Sequence, residues 1–75
     1  MMLFVKVNPR VALGRRIRKF RIKRKLSQEA LALAAGLHRN VPGLLERGQQ
    51  DPSLTTLVKI AHGLKISLSK LVEGL

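Results

Sequence analysis

The apolar residues of this chain recur at helical spacing in short segments, and most of these segments begin at a residue type that caps helices. Asn8 followed by Pro9 predicts the start of a first helix of roughly 15 residues. Later helices are predicted to begin at three serines, Ser27, Ser53 and Ser67, and a short third segment runs through Leu44. Two-residue alternation, the pattern of strands, is confined to the ambiguous residues 1–7. The predicted fold class is therefore all-α, a compact five-helix bundle.

The length of 75 residues allows one domain with a small core. Such a core is marginally stable alone, so close helix packing, a dimer or a ligand must add to its stability. We expect residues 1–8 to form an N-terminal arm, flexible or packed on a partner, and residues 9–75 to form the domain. The apolar stretch at residues 1–7 is too short for a membrane span or a signal-peptide core, so a cytoplasmic location is the default.

The charge is strongly basic and unevenly distributed. Lysine and arginine number 15 against 4 acidic residues, which gives a formal net charge of +11. Residues 1–28 contain ten of these bases and no acid. A basic excess of this size indicates a polyanionic partner, either nucleic acid or an acidic membrane surface. The alternative is a solvated helix face, although such faces usually mix both signs of charge.

The chemistry needed for catalysis or metal binding is sparse. The chain has no cysteine, which excludes disulfides and thiolate metal sites. His38 and His62 lie 24 positions apart without neighbouring ligand types, so we expect no metal site and no cofactor. Four scattered carboxylates offer no acid–base pair, and a glycine-rich phosphate loop is absent. We therefore expect a protein that is not an enzyme and has no small-molecule substrate.

The centre of the chain predicts a helix-turn-helix. The helix that starts at Ser27 and the short helix after it are separated by a turn of about four residues that contains Gly36. The small side chains of Ala32 and Ala35 allow the two helices to approach each other closely. The second helix of such a pair can project from the surface, and the major groove of DNA is wide enough to admit one α-helix.

From Leu13 to Val72 the chain resembles the lambda repressor/Cro-type helix-turn-helix family. The matching stretches are residues 13–18, 26–32, 35–37, 45–48, 52–54, 59–61 and 67–68, with Leu57, Leu64 and Leu71. The small size and the segment at residues 36–40 look like the controller proteins of restriction-modification systems. The resemblance implies a transcriptional regulator that binds double-stranded DNA sequence-specifically as a homodimer.

The resemblance also assigns residues to the interface. It places DNA-binding side chains at Gln28, His38, Arg39, Asn40, Val41, Leu44, Arg47 and Gln49. Further contacts with phosphates are expected from Ser27, Arg15, Lys19 and Gln50. Glu46 occupies the position that pairs with an arginine of the first helix, here Arg21, and we interpret this ion pair as structural.

The residue types at these positions suit base recognition. Arg39 can pair with guanine through two hydrogen bonds, Asn40 can pair with adenine in the same way, and Val41 can contact a thymine methyl group. At the start of the second helix, backbone amides beside Gln28 can bind a phosphate. For two residues the simpler alternative stays open, since His38 is equally suited to capping the turn and Leu44 to semi-exposed packing.

Beside the first helix, which is wholly basic where the family usually includes acids, two further features depart from the family pattern. Pro42 stands where the family prefers a β-branched apolar residue, and Gly43 follows it. The least strained arrangement starts the recognition helix late, with Asn40 as N-cap, so that its side chain is engaged by the helix end instead of by a base. Alternatively His38 remains the cap and Pro42 distorts the first turn. The second departure is lysine, at positions 25 and 65, where glycine commonly follows a helix; a left-handed lysine costs about 1 kcal/mol unless the turn rearranges.

The C-terminal segment predicts a dimer interface. We expect the last helix and the C-terminus to bury apolar side chains against the same surface of a second copy, through Leu68, Leu71, Val72 and Leu75. A different functional class remains open, a non-enzymatic adaptor that binds a polyanion or a protein without reading sequence, such as an antitoxin-like or a nucleoid- or RNA-associated protein. An interfacial membrane helix is less consistent with the chain, because the first helix contains one aromatic residue, Phe20.

Overall fold

The computed structural model describes residues 8–75, and within this range all regular structure is helical. The helices are α1 (Pro9–Lys23), α2 (Gln28–Ala35), α3 (Val41–Glu46), α4 (Leu54–Gly63) and α5 (Leu68–Leu71). The predicted all-α class with five helices is confirmed. Residues 1–7 of the predicted arm lie outside the described range, and Asn8 is the N-cap of α1.

Helix starts follow the predicted caps. The Asn8 side chain accepts a hydrogen bond from the backbone N–H of Arg10 at 2.9 Å. The side chains of Ser27, Ser53 and Ser67 accept corresponding bonds from backbone amides three residues further on, at 2.9–3.1 Å. Each bond satisfies an amide that has no partner inside its helix. These local bonds fix where α1, α2, α4 and α5 begin.

The core lies where the five helices meet. α2 packs on α4, α1 packs on α3, and α5 closes the bundle against α4 and α1. The apolar side chains at this centre are almost fully buried: Leu13, Ile17, Leu31, Leu45, Ile60, Leu64 and Leu71. Burying a side chain of this size stabilises the fold by roughly 1.5–3 kcal/mol relative to leaving it exposed.

Glycine permits the closest contact between α1 and α3. A Cβ atom at Gly14 would lie 2.5 Å from the carbonyl oxygen of Leu45 and 2.6 Å from that of Glu46. These are backbone atoms, which cannot turn aside as a flexible side chain can. Gly14 therefore brings α3 close against α1 and fixes the position of the short recognition helix.

An arginine ties the last helix to the first. Arg16 of α1 donates from Nε to the carbonyl oxygen of Leu71 at 2.7 Å and from Nη2 to that of Lys70 at 2.6 Å. Its guanidinium also lies over the ring of Phe20, 5.5 Å from the centroid. Arg16 thus satisfies carbonyls at the end of α5, a structural role that sequence analysis did not assign to it.

Candidate nucleic-acid interface

The start of α2 and the exposed side of α3 enclose an open cleft of about 390 Å³. Its lining residues are Gln28, Glu29, Arg39, Asn40, Gly43, Leu44 and Arg47. Five of the predicted DNA-binding residues therefore share one surface, Gln28, Arg39, Asn40, Leu44 and Arg47. The other three, His38, Val41 and Gln49, lie outside the cleft lining.

Gln28 is held in a fixed orientation at the mouth of the cleft. Its Nε2 donates a hydrogen bond to Oε1 of Glu46 at 3.2 Å. The side-chain oxygen lies against Gly43, where a Cβ atom would come within 3.0 Å of it. The amide is thus oriented before any ligand arrives, which lowers the entropy cost of a contact made through its oxygen.

The cleft rests on the ion pair of Arg21 and Glu46, which the structure contains as the sequence predicts. Arg21 donates from Nε to Oε2 of Glu46 at 2.5 Å and from Nη2 to Oε1 at 3.0 Å. The side chains are 11% and 4% exposed, respectively. Arg21 also donates from Nη1 to the carbonyl oxygen of Leu26 at 2.8 Å, which ties the turn before α2 to the pair. The hydrogen bond to Glu46 raises the pKa of Arg21, outweighing the opposing effect of burial.

The start of α3 differs in one respect from the expected cap. α3 begins at Val41 with Pro42 in its first turn and Asn40 at the N-cap position, as predicted. The expectation that the Asn40 side chain is engaged by the helix end is wrong, because it makes no capping hydrogen bond. Asn40 has φ −81° and ψ −17°, whereas a capping side chain requires an extended backbone. Its side chain consequently stays available to the cleft.

Of the two roles predicted for His38, base contact and capping the turn, the structure shows the second. Its Nδ1 accepts a hydrogen bond from the backbone N–H of Asn40 at 3.2 Å, so the ring closes the turn before α3. Val41 is half-buried against the core. Gln49 accepts a hydrogen bond from Nε of Arg47 at 3.0 Å. Gln49 thereby orients an arginine of the cleft.

Comparison with known proteins agrees with this geometry. Residues 17–71 match the family described as helix-turn-helix. The chain belongs to the helix-turn-helix family. As a member it is a DNA-binding transcriptional regulator, and proteins of this family are generally not enzymes.

Controller proteins are among the relatives of this helix-turn-helix regulator. It is 40% identical over 60 residues to control protein C.SmaI of Serratia marcescens, covering 80% of this chain and 71% of the relative. It is 34% identical to control protein C.BamHI of Bacillus amyloliquefaciens, covering 88% and 83% of the two chains. The crystal structure of the restriction-modification controller protein C.AhdI from Aeromonas hydrophila superposes with a TM-score of 0.80 at 42% identity, covering 83% of this chain and 94% of that one.

Glu29 is a cleft residue that sequence analysis did not assign. It lies in the first turn of α2 beside Gln28 and lines the same cleft as Arg39. A carboxylate there is stabilised by the positive N-terminal end of the helix dipole, but it repels a phosphate. The sequence could have indicated this role, because Glu29 follows Gln28 directly at the predicted start of the helix.

The basic face of α1 extends away from the cleft. Successive residues of a helix are rotated by about 100°, so Arg18 lies about 40° from Gly14, the residue that touches α3. Lys19 lies about 140° from Gly14 and about 60° from Arg16, the residue that reaches α5. Neither Lys19 nor Arg15 lines the cleft, and of the neighbours Arg18 and Lys19 it is Arg18 that is turned more toward α3.

The predicted dimer residues divide between core and surface. Leu71 is 0% exposed within the single chain, so its assignment to a dimer interface is corrected: it packs in the core of its own chain. Val72 and Leu68 are half-buried, and Leu75 is exposed. Part of an apolar surface was missed on α4, where Leu54 and Val58 are exposed one turn apart, at 68% and 47%.

No helix within residues 8–75 is long and apolar enough to cross a membrane.

Proposed function

We propose that this chain is a sequence-specific regulator that acts in the cytoplasm as a homodimer and places α3 in the major groove. The observation that carries the proposal is the cleft, which brings the oriented amide of Gln28, the guanidinium of Arg39 and the uncommitted side chain of Asn40 onto one surface. The similarity of the chain to C.SmaI and C.BamHI supports a finer assignment, control of the genes of a restriction-modification system.

Base readout is proposed for two neighbouring side chains. Arg39 pairs through its guanidinium with O6 and N7 of a guanine, and Asn40 pairs with N6 and N7 of an adenine. Each such pair discriminates against a wrong base by roughly 1–3 kcal/mol. Half-buried Leu44 lines the same cleft as Arg39, Asn40 and Arg47, and it is suited to contact a thymine methyl group.

Backbone contacts are proposed around these readers. Gln28 and the amides at the start of α2 contact one phosphate, and the hydroxyl of Ser27, which already accepts a bond from Ala30, still has a proton to donate. Arg47 is positioned by Gln49 for a second phosphate. Such contacts release counterions, so affinity should fall steeply as the salt concentration rises.

Dimerisation is proposed through an apolar face made by α4 and the C-terminus. Leu54 and Val58 lie on the side of α4 opposite Gly63, the residue that packs on α2, so they point away from the helix-turn-helix. Together with Leu75 and the half-buried Leu68 they form a surface that a two-fold axis can bury against itself. The two recognition helices would then read half-sites about 34 Å apart.

Selection of bound duplexes from a random pool tests the function. A two-fold symmetric consensus is expected, and binding to it should survive an excess of unrelated duplex near physiological salt. The alternative class, a polyanion-binding adaptor without readout, yields no consensus and loses binding in that competition. That second result would overturn the proposal.

The dimer face has a separate test in sedimentation equilibrium. Val58→Glu places a charge in the proposed interface and should shift the protein toward monomer. Thr55→Glu, on the same helix but outside the apolar face, is the matched control and should leave the association unchanged. Equal association of both variants would show that α4 is not the interface.

A further inference from the structure

Four helices of this chain end in the same backbone motif, but not with the same residue. In each, either the cap itself, as at the end of α2, or the residue after it has a positive φ, and the amide of the next residue donates to the carbonyl five positions back, the pattern of a Schellman motif. Two of these positions are glycine, Gly36 and Gly48, with φ 68° and 69°. The other two are Lys25 and Lys65, both with φ 58°.

Lysine at these two ends is unfavourable for the backbone. A left-handed conformation brings Cβ too close to the following carbonyl oxygen, which glycine avoids. The chain uses glycine for the same turn at Gly36, where there is open space for a side chain. Glycine would form the same turn without strain at both lysine positions. Backbone strain of this kind is typical of functional positions.

The two lysine-ended helices meet at one groove. Arg24, at the end of α1, donates from Nη2 to the carbonyl oxygen of Lys65, at the end of α4, at 3.1 Å. A groove of about 450 Å³ lies at this junction, lined by Arg24, Leu26, Ala34, Gly63 and Lys65. An adjoining hollow adds the side chains of His62 and Ile66.

The groove lies apart from the DNA-binding cleft. Ala34 in the groove and Gln28 in the cleft are both on α2, but they are separated by about 120° around the helix and by about 9 Å along it. A duplex seated on Gln28 and α3 is therefore centred on a different part of the surface from the groove.

We propose that this groove docks an acidic segment of another protein that carries an aliphatic side chain. The apolar lining residues are Leu26, Ala34 and Gly63, and they receive the aliphatic side chain. The rim carries the charges of Arg24 and Lys65, and none of the described lining residues is acidic. Lys25 is exposed in the turn between Arg24 and Leu26, two of the lining residues. Carboxylates of the docked segment pair with these cations.

A second copy of the chain is not a suitable occupant. It offers four acids. Glu46 is held by Arg21, Asp51 lies 3.5 Å from Arg10, and Glu73 lies 4.0 Å from Lys70. This leaves Glu29, a single exposed carboxylate in the first turn of α2. With a net charge of +11, two copies also repel one another at this rim.

A different explanation for the two lysines is that a cation near a helix C-terminus interacts favourably with the helix dipole. That effect is purely local, so it predicts a loss of stability and no loss of partner binding when the lysines are replaced by glycine. Docking predicts the reverse, because glycine relieves the backbone strain and removes two of the three cations at the groove, Lys25 and Lys65. The two explanations therefore give opposite results with the same variant.

The experiment is a titration of the full, isotopically labelled chain with synthetic 12-residue peptides, followed by amide chemical shifts. The first peptide places leucines among glutamates at positions i, i+3, i+4 and i+7, so that a helix would be amphipathic. The second replaces leucine by serine, and the third replaces glutamate by lysine. We expect shifts at Leu26, Ala34, Gly63 and Lys65 with the first peptide, and a dissociation constant several-fold weaker with the second. Shifts centred on Arg39 and Arg47, or spread evenly over all cations, would overturn the proposal.

Nucleic acid is the other polyanion to compare. A random-sequence duplex of about 20 base pairs, titrated in the same way, should shift the cleft and leave the groove unchanged. If the duplex shifted the groove more strongly than the glutamate–leucine peptide, the occupant would be nucleic acid and the proposal would be wrong.

A pair of variants separates docking from net charge. Lys25→Gly with Lys65→Gly should weaken the first peptide by about tenfold, the value for two exposed ion pairs, while the thermal midpoint rises or stays constant. Lys59→Gln removes a charge from an exposed site on α4 outside the groove and should weaken the peptide less than twofold. Unchanged peptide affinity in the glycine variant would overturn the proposal.

Discussion

Arg21 and Glu46 form an ion pair with two hydrogen bonds that joins α1 to α3, and Oε1 of the same carboxylate also accepts a bond from Gln28. One side chain of α3 thus receives a structural partner from α1 and a proposed DNA-contacting partner from α2. Because Arg21 and Gln28 both donate to this one carboxylate, the stability of the fold and the geometry of the cleft depend on the same residue.

Breaking this pair should be costly. Glu46→Ala leaves the guanidinium of Arg21 without its partner in a largely buried place, and we expect a loss of about 3 kcal/mol in the free energy of unfolding. Urea denaturation followed by circular dichroism measures it. Replacing both residues, as Arg21→Met with Glu46→Leu, should recover much of the stability. The affinity for DNA should be reduced in this double variant, because Gln28 has lost its anchor at Glu46. A double variant that bound DNA normally would contradict the role given to Gln28.

The pH dependence of this pair follows from the raised pKa of Arg21. A cation whose pKa is higher in the folded state contributes stability that is complete below its unfolded pKa and is lost as the pH rises through the folded value. Both values lie far above neutrality for arginine. We therefore expect no change from Arg21 in the urea midpoint between about pH 6 and pH 9, and Arg21→Lys, with its lower pKa, should lose stability at lower pH than the wild type.

The sequence predicted best what depends on a few neighbouring residues. The caps at Asn8 and at the three serines are set by local bonds, and all four were found. The N-cap position of Asn40 was predicted correctly, but its side chain makes no capping bond, because its backbone is helical and its amide donates to His38, the alternative cap. Arg16 was missed because its acceptors lie more than fifty residues away in α5, a distance that helical periodicity cannot bridge.

Arg39 should determine the identity of one base pair. We expect Arg39→Ala to reduce discrimination at a single position of the consensus by about 1–3 kcal/mol while preference at the other positions stays constant. Binding to a panel of single-base operator variants measures this. Lys59→Ala, remote from the cleft, is the control. If Arg39→Ala left the order of preference among the variants unchanged, Arg39 would not read a base.

Asn40 and His38 should differ in what they contribute. Asn40→Ala removes a side chain that makes no capping bond, so stability should change by less than about 0.5 kcal/mol while discrimination at one base pair falls. His38→Ala removes the acceptor for the Asn40 amide and should cost about 1 kcal/mol of stability. Thermal unfolding and operator titration of both variants provide the comparison. A large stability loss in Asn40→Ala would show that its side chain does cap α3.

Arg18 and Lys19 are neighbours that should differ in their effect on salt dependence. Arg18 lies nearer to the α3 side of α1, whereas Lys19 is turned toward α5. Arg18→Gln should reduce the slope of log affinity against log salt by about 0.9, the value for one lost phosphate contact, for every sequence alike. Lys19→Gln removes the same charge and should reduce the slope less. The reverse order would place the DNA backbone on the outer face of α1, as the sequence resemblance implies for Lys19.

Two glycines of the same region should respond differently to alanine. At Gly14 a Cβ would lie 2.5 Å from a backbone oxygen of α3, so Gly14→Ala should push the helices apart and lower the free energy of unfolding by about 2 kcal/mol. At Gly43 the nearest atoms belong to the ends of the side chains of Gln28 and Arg47, at 3.0 and 3.1 Å, which can move. Gly43→Ala should therefore leave stability within about 0.5 kcal/mol, with the gain in helix propensity offsetting the contact, and should weaken DNA binding by displacing Gln28. Urea denaturation and operator titration of the two variants should separate these effects, because one glycine supports the packing of the fold and the other leaves room for a recognition side chain.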